Sequence, residues 1–168
     1  MLRTTLILCG GLLIADAQAA DTALDFAQVC HRAASEPAEM RIDDRIVGYC
    51  TTAIGQAASA LARSALLTNR AILETRRDNW QAARTDLDDA LAASPDNAAA
   101  WVTLGYVNWQ SGNLPAAENN FTRALELAPL PVAAKNRSIV RRLRGDLDGA
   151  MQDALLAAGR QPPPANSN

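Results

Sequence analysis

Aromatic residues are scarce in this 168-residue chain: two Phe, two Tyr and three Trp, 4% of the total. There is one histidine, His31, one lysine, Lys135, and only three cysteines. Each scarcity excludes something. A β-sandwich draws its core from aromatic and β-branched residues. Here alanine dominates a chain that is 49% hydrophobic, a composition suited to closely stacked helices. A lone histidine with no arranged acid or nucleophile is a poor general base, and no phosphate loop, nucleophile elbow or zinc motif occurs. A formal charge of −2 leaves no electrostatic footprint for nucleic acid. No apolar run reaches the ~18 residues that a membrane span needs. The chain reads as all-α and non-enzymatic, with no cofactor and no metal.

What is present begins with an address. Met1-Leu2-Arg3 is a short basic start, Leu6 to Ala15 is apolar apart from Gly10-Gly11, and Ala17-Gln18-Ala19 supplies an A-x-A cleavage site. Removal of residues 1–19 is expected, with cleavage after Ala20 as the alternative, and the mature protein is expected in the periplasm or outside the cell. Cys9 leaves with the signal; a lipoprotein site there is opposed by Leu6-Ile7-Leu8, which lacks a small residue. Cys30 and Cys50 remain, an even pair in an oxidising compartment, which most simply forms one disulfide.

The surrounding pattern agrees. Phe26, Val29, Cys30 and Ala33 mark one helix face, and Ile46, Val47, Cys50, Ala53, Ile54 and Ala57 another. Glu36-Pro37 breaks the chain between them, so residues 20–58 are expected to form a helical hairpin that caps the rest. A bridge closing a loop of about 20 residues stabilises it by ~3 kcal/mol in the chain-entropy model. The competing reading, a redox or metal site on Cys30, His31 and Cys50, has too few ligands and no CxxC.

The remainder repeats itself. Ala98-Ala99-Ala100-Trp101-Val102-Thr103-Leu104-Gly105 runs through Gly112-Asn113-Leu114, Ala117 and Phe121 to Ala124 and Pro129. Small Gly105 and Ala117 suit a close helix approach, and Trp101, Leu104 and Phe121 fill the space between two helices. Gly112 ends the first helix and Pro129 the second. Thirty-four residues upstream of Ala117 the spacing returns as Ala83, Leu87, Ala90 and Pro95; 33 residues downstream it is Ala150, Ala154, Ala157 and Pro162. The turns align as Asp78-Asn79-Trp80, Gly112-Asn113-Leu114 and Gly145-Asp146-Leu147. Asn69-Arg70-Ala71-Ile72 parallels Asn136-Arg137-Ser138-Ile139, 67 residues on, which points to a one-residue deletion near Pro129-Leu130-Pro131. Arg70 and Arg137 stand where the middle unit has Leu104, so the outer units read as degenerate, and neither has a counterpart of Trp101.

Eight helices are expected: 22–35, 43–54, 59–77, 80–94, 98–111, 115–128, 131–144 and 147–158. The repeat array is expected over 59–163, with units at about 64–95, 98–129 and 131–162, and a disordered tail at 164–168.

Residues from about Ser64 to Pro162 resemble a tetratricopeptide-repeat array. The segment Asp43 to Ile54 resembles the cysteine-bearing leader of small exported bacterial repeat proteins, and its Ala53-Ile54 echoes Ala90-Leu91 and Ala124-Leu125, as half of a diverged repeat would. The resemblance implies a right-handed α-solenoid of antiparallel helix pairs that binds a protein or peptide, with no partner named. In that family the first helices line a concave groove. Carried over by register, the groove takes Asn69, Ile72, Thr75 and Arg76 from the first unit. Val102, Thr103, Tyr106, Trp109 and Gln110 come from the second, and Asn136, Ile139, Arg142 and Leu143 from the third. Aromatic rings offer contact area, asparagines can bond a peptide backbone and arginines can pair carboxylates, so a peptide of some acidic character is the expected ligand. Asn108 departs from the large aromatic usual at its position.

Plainer readings stand beside these. Trp101, Phe121 and Trp80 read as core. Packing under the C-terminal helix pair competes with ligand contact for Tyr106 and Trp109, and an arginine such as Arg76 or Arg142 on an exposed face is usually just solvated. Asp86, Asp88 and Asp89, with Asp153, read as a solvated outer face. The alternative function is structural: self-association into a homo-oligomer at the cell envelope.

Overall fold

The computed structural model describes residues 26–36 and 41–160. The expected signal (1–19), the start of the first helix, Pro37, and the C-terminal residues from 161 onward lie outside the described residues. Within them the chain is all helix. α1 covers residues 26–35, followed by α2 (Asp44–Gly55), α3 (Ala60–Thr75), α4 (Trp80–Ala93), α5 (Ala98–Gln110), α6 (Leu114–Leu127), α7 (Pro131–Leu143) and α8 (Leu147–Ala157).

α3 pairs with α4, α5 with α6 and α7 with α8, and each hairpin packs on the next. The first helices also touch one another, α3 with α5 and α5 with α7, whereas α4, α6 and α8 make no mutual contacts. First helices therefore lie on the inside of the curve and second helices on the outside, the geometry of an α-solenoid. α2 packs on α3 as α4 packs on α5, in the place of a preceding second helix. A disulfide between Cys30 and Cys50, both fully buried, joins α1 to α2. The Arg76 guanidinium donates from Nη1 to the carbonyl oxygens of Ala33 (2.8 Å) and Glu36 (3.4 Å), tying the end of α1 to the array.

The same turn closes the three hairpins from α3 to α8. Asp78, Gly112 and Gly145 take the left-handed conformation at φ of 57°, 78° and 88°. The following N–H returns to the helix: Asn79 to Glu74 O (2.9 Å), Asn113 to Asn108 O (2.9 Å) and Asp146 to Arg141 O (3.0 Å). This bonding satisfies carbonyls that a helix end leaves orphaned. Asn113 and Asp146 then cap the next helix, accepting from the N–H groups of Ala116 and Gly149.

The two inter-unit connections differ. Residues 94–97 join α4 to α5, but only 128–130 join α6 to α7, which is where the repeat shortens by one residue. Asn97 caps α5 (Ala100 N, 3.1 Å) and donates to the Ser64 and Thr68 hydroxyls of α3, and Ser64 donates in turn to Ala90 O of α4 (2.7 Å), locking three helices together. α7 instead starts on Pro131, whose missing N–H is no loss in a first turn.

Gly105 and Phe121 define the middle of the core. Phe121 is fully buried with Ala117 and Val140, and a methyl group on Gly105 would lie 2.5 Å from Phe121 Cε1. Trp101 is only half-buried, packed on the core of the first two units with its indole N–H donating to Pro95 O at 2.8 Å.

One expectation is overturned. Asp88 and Asp89 are exposed, but Asp86 and Asp153 are buried, not part of a solvated outer face. Asp86 takes a bidentate bond from Arg70 (2.8 and 2.6 Å), and Asp153 takes the same from Arg137 (2.8 and 2.6 Å). The arginines that looked like degeneracy are paired charges. A buried carboxylate demands such a partner.

Candidate binding groove

Tyr106 is the centre of the inner surface. Its ring lies 6.1 Å from Trp80, tilted, and 6.0 Å from Trp109 in an edge-on arrangement, both favourable aromatic geometries. Beside it an open cavity of about 410 Å³ is lined by Thr75, Arg76, Asp78, Trp80, Tyr106 and Gln110. Four of these six come from the first-helix positions carried over from the sequence. Asp78 and Trp80 were not among them. The turn alignment held the missing signal: a left-handed turn aims the start of each second helix back toward the following first helix.

The other expected groove residues are distributed as follows. Asn69, Ile72, Asn136 and Ile139 are half-buried and Leu143 is exposed. Val102 and Trp109 pack on the Phe121–Val140 cluster, so Trp109 serves both the inner surface and the core. Thr103 is 8% exposed and its hydroxyl donates to Ala99 O, which leaves little for a ligand. Thr75 lines the cavity, with its hydroxyl donating to Ile72 O. Ile139 and Arg142 line a separate cavity between α7 and α8. The first two units thus share one pocket, which the third does not join.

Polar contacts fix the units beneath this surface. The expected aromatic position in α5 is Asn108, buried and accepting from Arg84 Nη2 of α4 at 2.6 Å. One unit later the pair is reversed: Glu118 of α6 accepts from Arg141 Nε (2.9 Å) and from Arg144. Burial alone would raise the Glu118 carboxyl, but the two guanidinium groups outweigh it and hold it below the usual glutamate range.

The tetratricopeptide-repeat profile matches residues 68–130 and 109–166, together more than half of the chain. The chain belongs to the tetratricopeptide repeat family, whose fold serves protein–protein interaction. No curated protein matches it. Among solved structures it is similar to the crystal structure of MamA, at 19% identity and a TM-score of 0.58, over 68% of this chain and 66% of that one. It is similar to the same degree to TTC0263, a thermophilic TPR protein of Thermus thermophilus: 19% identity, TM-score 0.58, 70% of this chain and 64% of that one. The chain spans just under two thirds of either protein, and at this identity the likeness concerns the fold alone. Among the described residues no helix is long and apolar enough to cross a membrane.

Proposed function

We propose that the chain is an exported scaffold, periplasmic or secreted, that takes a peptide or protein segment into the inner groove and has no catalytic activity of its own. The observation that carries this reading is the open cavity walled by Trp80 and Tyr106 and rimmed by Thr75, Asp78 and Gln110. Rigid aromatic walls give contact area at low entropic cost, and the amide and hydroxyl groups suit a peptide backbone. Against catalysis, the two cysteines of the described residues are spent in a disulfide and His31 is an exposed residue of α1.

A photo-crosslinking residue at Gln110, compared in living cells with one at exposed Asp88 on the outer helix α4, tests the site. A specific adduct at position 110 alone is expected; an adduct at 88 alone moves binding to the convex face. N-terminal sequencing of the extracellular or periplasmic chain checks export, with Ala20 or Asp21 expected as the first residue.

A further inference from the structure

The third hairpin is under-filled. In α5–α6 the space between the helices holds Phe121 against Gly105, and in α3–α4 it holds Leu87 against Ala71. At the same register in α7–α8 stand Ser138 and Ala154. A cavity of about 280 Å³ opens there, lined by Ser138, Ile139, Arg142, Leu147, Met151 and Ala154. Arg142 and Leu147 occupy the positions of Trp109 and Leu114, which close around Phe121 in the central unit. Val140 of the following helix completes that cluster; after α8 no further helix follows among the described residues.

The helix bordering this cavity also carries side chains fit to fill one. Leu147 is 65% exposed and Met151 56% exposed, beside Leu143 at 58%. Leu147, Met151, Ala154 and Ala158 recur at 4-3-4 spacing, the seam of helix-on-helix packing, and all four are exposed. A face with projecting side chains next to a hole is self-complementary under two-fold symmetry, because each copy supplies what the other lacks. Both signs of charge stand nearby, Arg142 in the cavity wall and Asp148 next to Leu147 in the first turn of α8. Arg142 and Asp148 are exposed and make no ion pair among the described residues, so a like copy brings a carboxylate for each guanidinium.

We propose that this face is an interface between two copies of the chain. α8 packs on α8 about a two-fold axis, and Met151 of each copy seats in the cavity beside Ala154 of the other. A flexible thioether is suited to such an irregular hole.

Sedimentation velocity of the chain as the cell delivers it, over about a hundredfold range of concentration, is the test. A monomer–dimer equilibrium is expected. Met151→Glu, a change at an exposed position, should leave a monomer with unaltered circular dichroism. Ala154→Leu recreates the filling of the first unit without the clash that phenylalanine would have with the Ser138 side chain. It should raise the melting temperature and weaken self-association by about tenfold or more. If Ala154→Leu does not fold, Met151→Glu decides alone. A wild-type chain that stays monomeric throughout overturns the proposal and leaves the face to a helix of another protein. A dimer that survives Met151→Glu overturns it too, since self-association then lies elsewhere.

Discussion

The central hairpin and its two neighbours meet the same packing demand with different chemistry. In α5–α6, Leu104 is 8% exposed and faces the register position of Asn120. In α3–α4 and α7–α8 the equivalent places hold Arg70 with Asp86 and Arg137 with Asp153, both bidentate. Each arginine also donates to a threonine of the preceding element, Arg70 to Thr51 (2.9 Å) and Arg137 to Thr122 (3.0 Å). Three helices are joined at one guanidinium. Since Thr51 serves α3 as Thr122 serves α7, α2 holds the place of a second helix. The difference teaches that the outer units are not eroded copies. Their charges come in pairs, and a half-buried arginine is tolerated because a carboxylate and a hydroxyl meet it.

The largest expected effect comes from breaking one of these pairs. Asp153→Ala leaves the Arg137 guanidinium, whose side chain is 13% exposed, without its carboxylate, and removes the one 3.1 Å from Arg141 Nη1 as well. A loss of about 3–5 kcal/mol is expected in urea unfolding. Arg137→Leu with Asp153→Asn imports the central solution and should recover the stability to within ~1 kcal/mol of the starting chain. If the double change is as damaging as the single one, the two solutions are not interchangeable and the comparison fails.

A smaller effect tests the filling of the hairpins. Gly105→Ala drives a methyl group into the Phe121 ring and should cost about 1–3 kcal/mol by thermal unfolding. Adding Phe121→Leu reproduces the Ala71–Leu87 combination of the first unit and should restore part of that loss. No restoration would mean that the backbones of the two units lie at different separations.

The smallest effect separates the junctions between units. Glu118 at the α6–α7 junction has a folded pKa below its unfolded value, so its contribution is complete at neutral pH and is lost as pH falls through the folded value. The α4–α5 junction uses Arg84 and Asn108, which have no carboxylate to protonate. Acidification below the ordinary glutamate range should lower hydrogen-exchange protection, taken relative to the intrinsic rate at each pH, more in α7 than in α5, and Glu118→Gln should remove that pH dependence. Equal loss of protection in both helices would show that the junctions do not differ in this way.

Much of the fold was legible because its signals are local. The left-handed residues at 78, 112 and 145 sit in the aligned turns, the Pro131 start coincides with the shortened repeat, and the small residues Gly105 and Ala117 mark the closest approach. The candidate site was legible only in part. Register put Tyr106 and Gln110 on the inner surface, but it could not reveal that Trp80 shares their pocket or that Trp109 is half committed to the Phe121 cluster. Nor could it reveal that Arg76 bonds the carbonyl groups at the end of α1.

By itself, then, the sequence determined the helices, their turns, their repeat period and the disulfide, since these follow from residues within one or two turns of each other or from a count of cysteines. Tertiary structure alone decided which charged side chains are buried. Arg70 meets Asp86 and Arg137 meets Asp153 across a hairpin, and Glu118 meets Arg141 across a junction. Such contacts depend on how two helices cross and how far apart they lie. A period of 3.6 residues says which face a side chain is on, but not what stands opposite it. For that reason Asp86 and Asp153 looked like solvated surface in the sequence and became the anchors of the outer units in the fold.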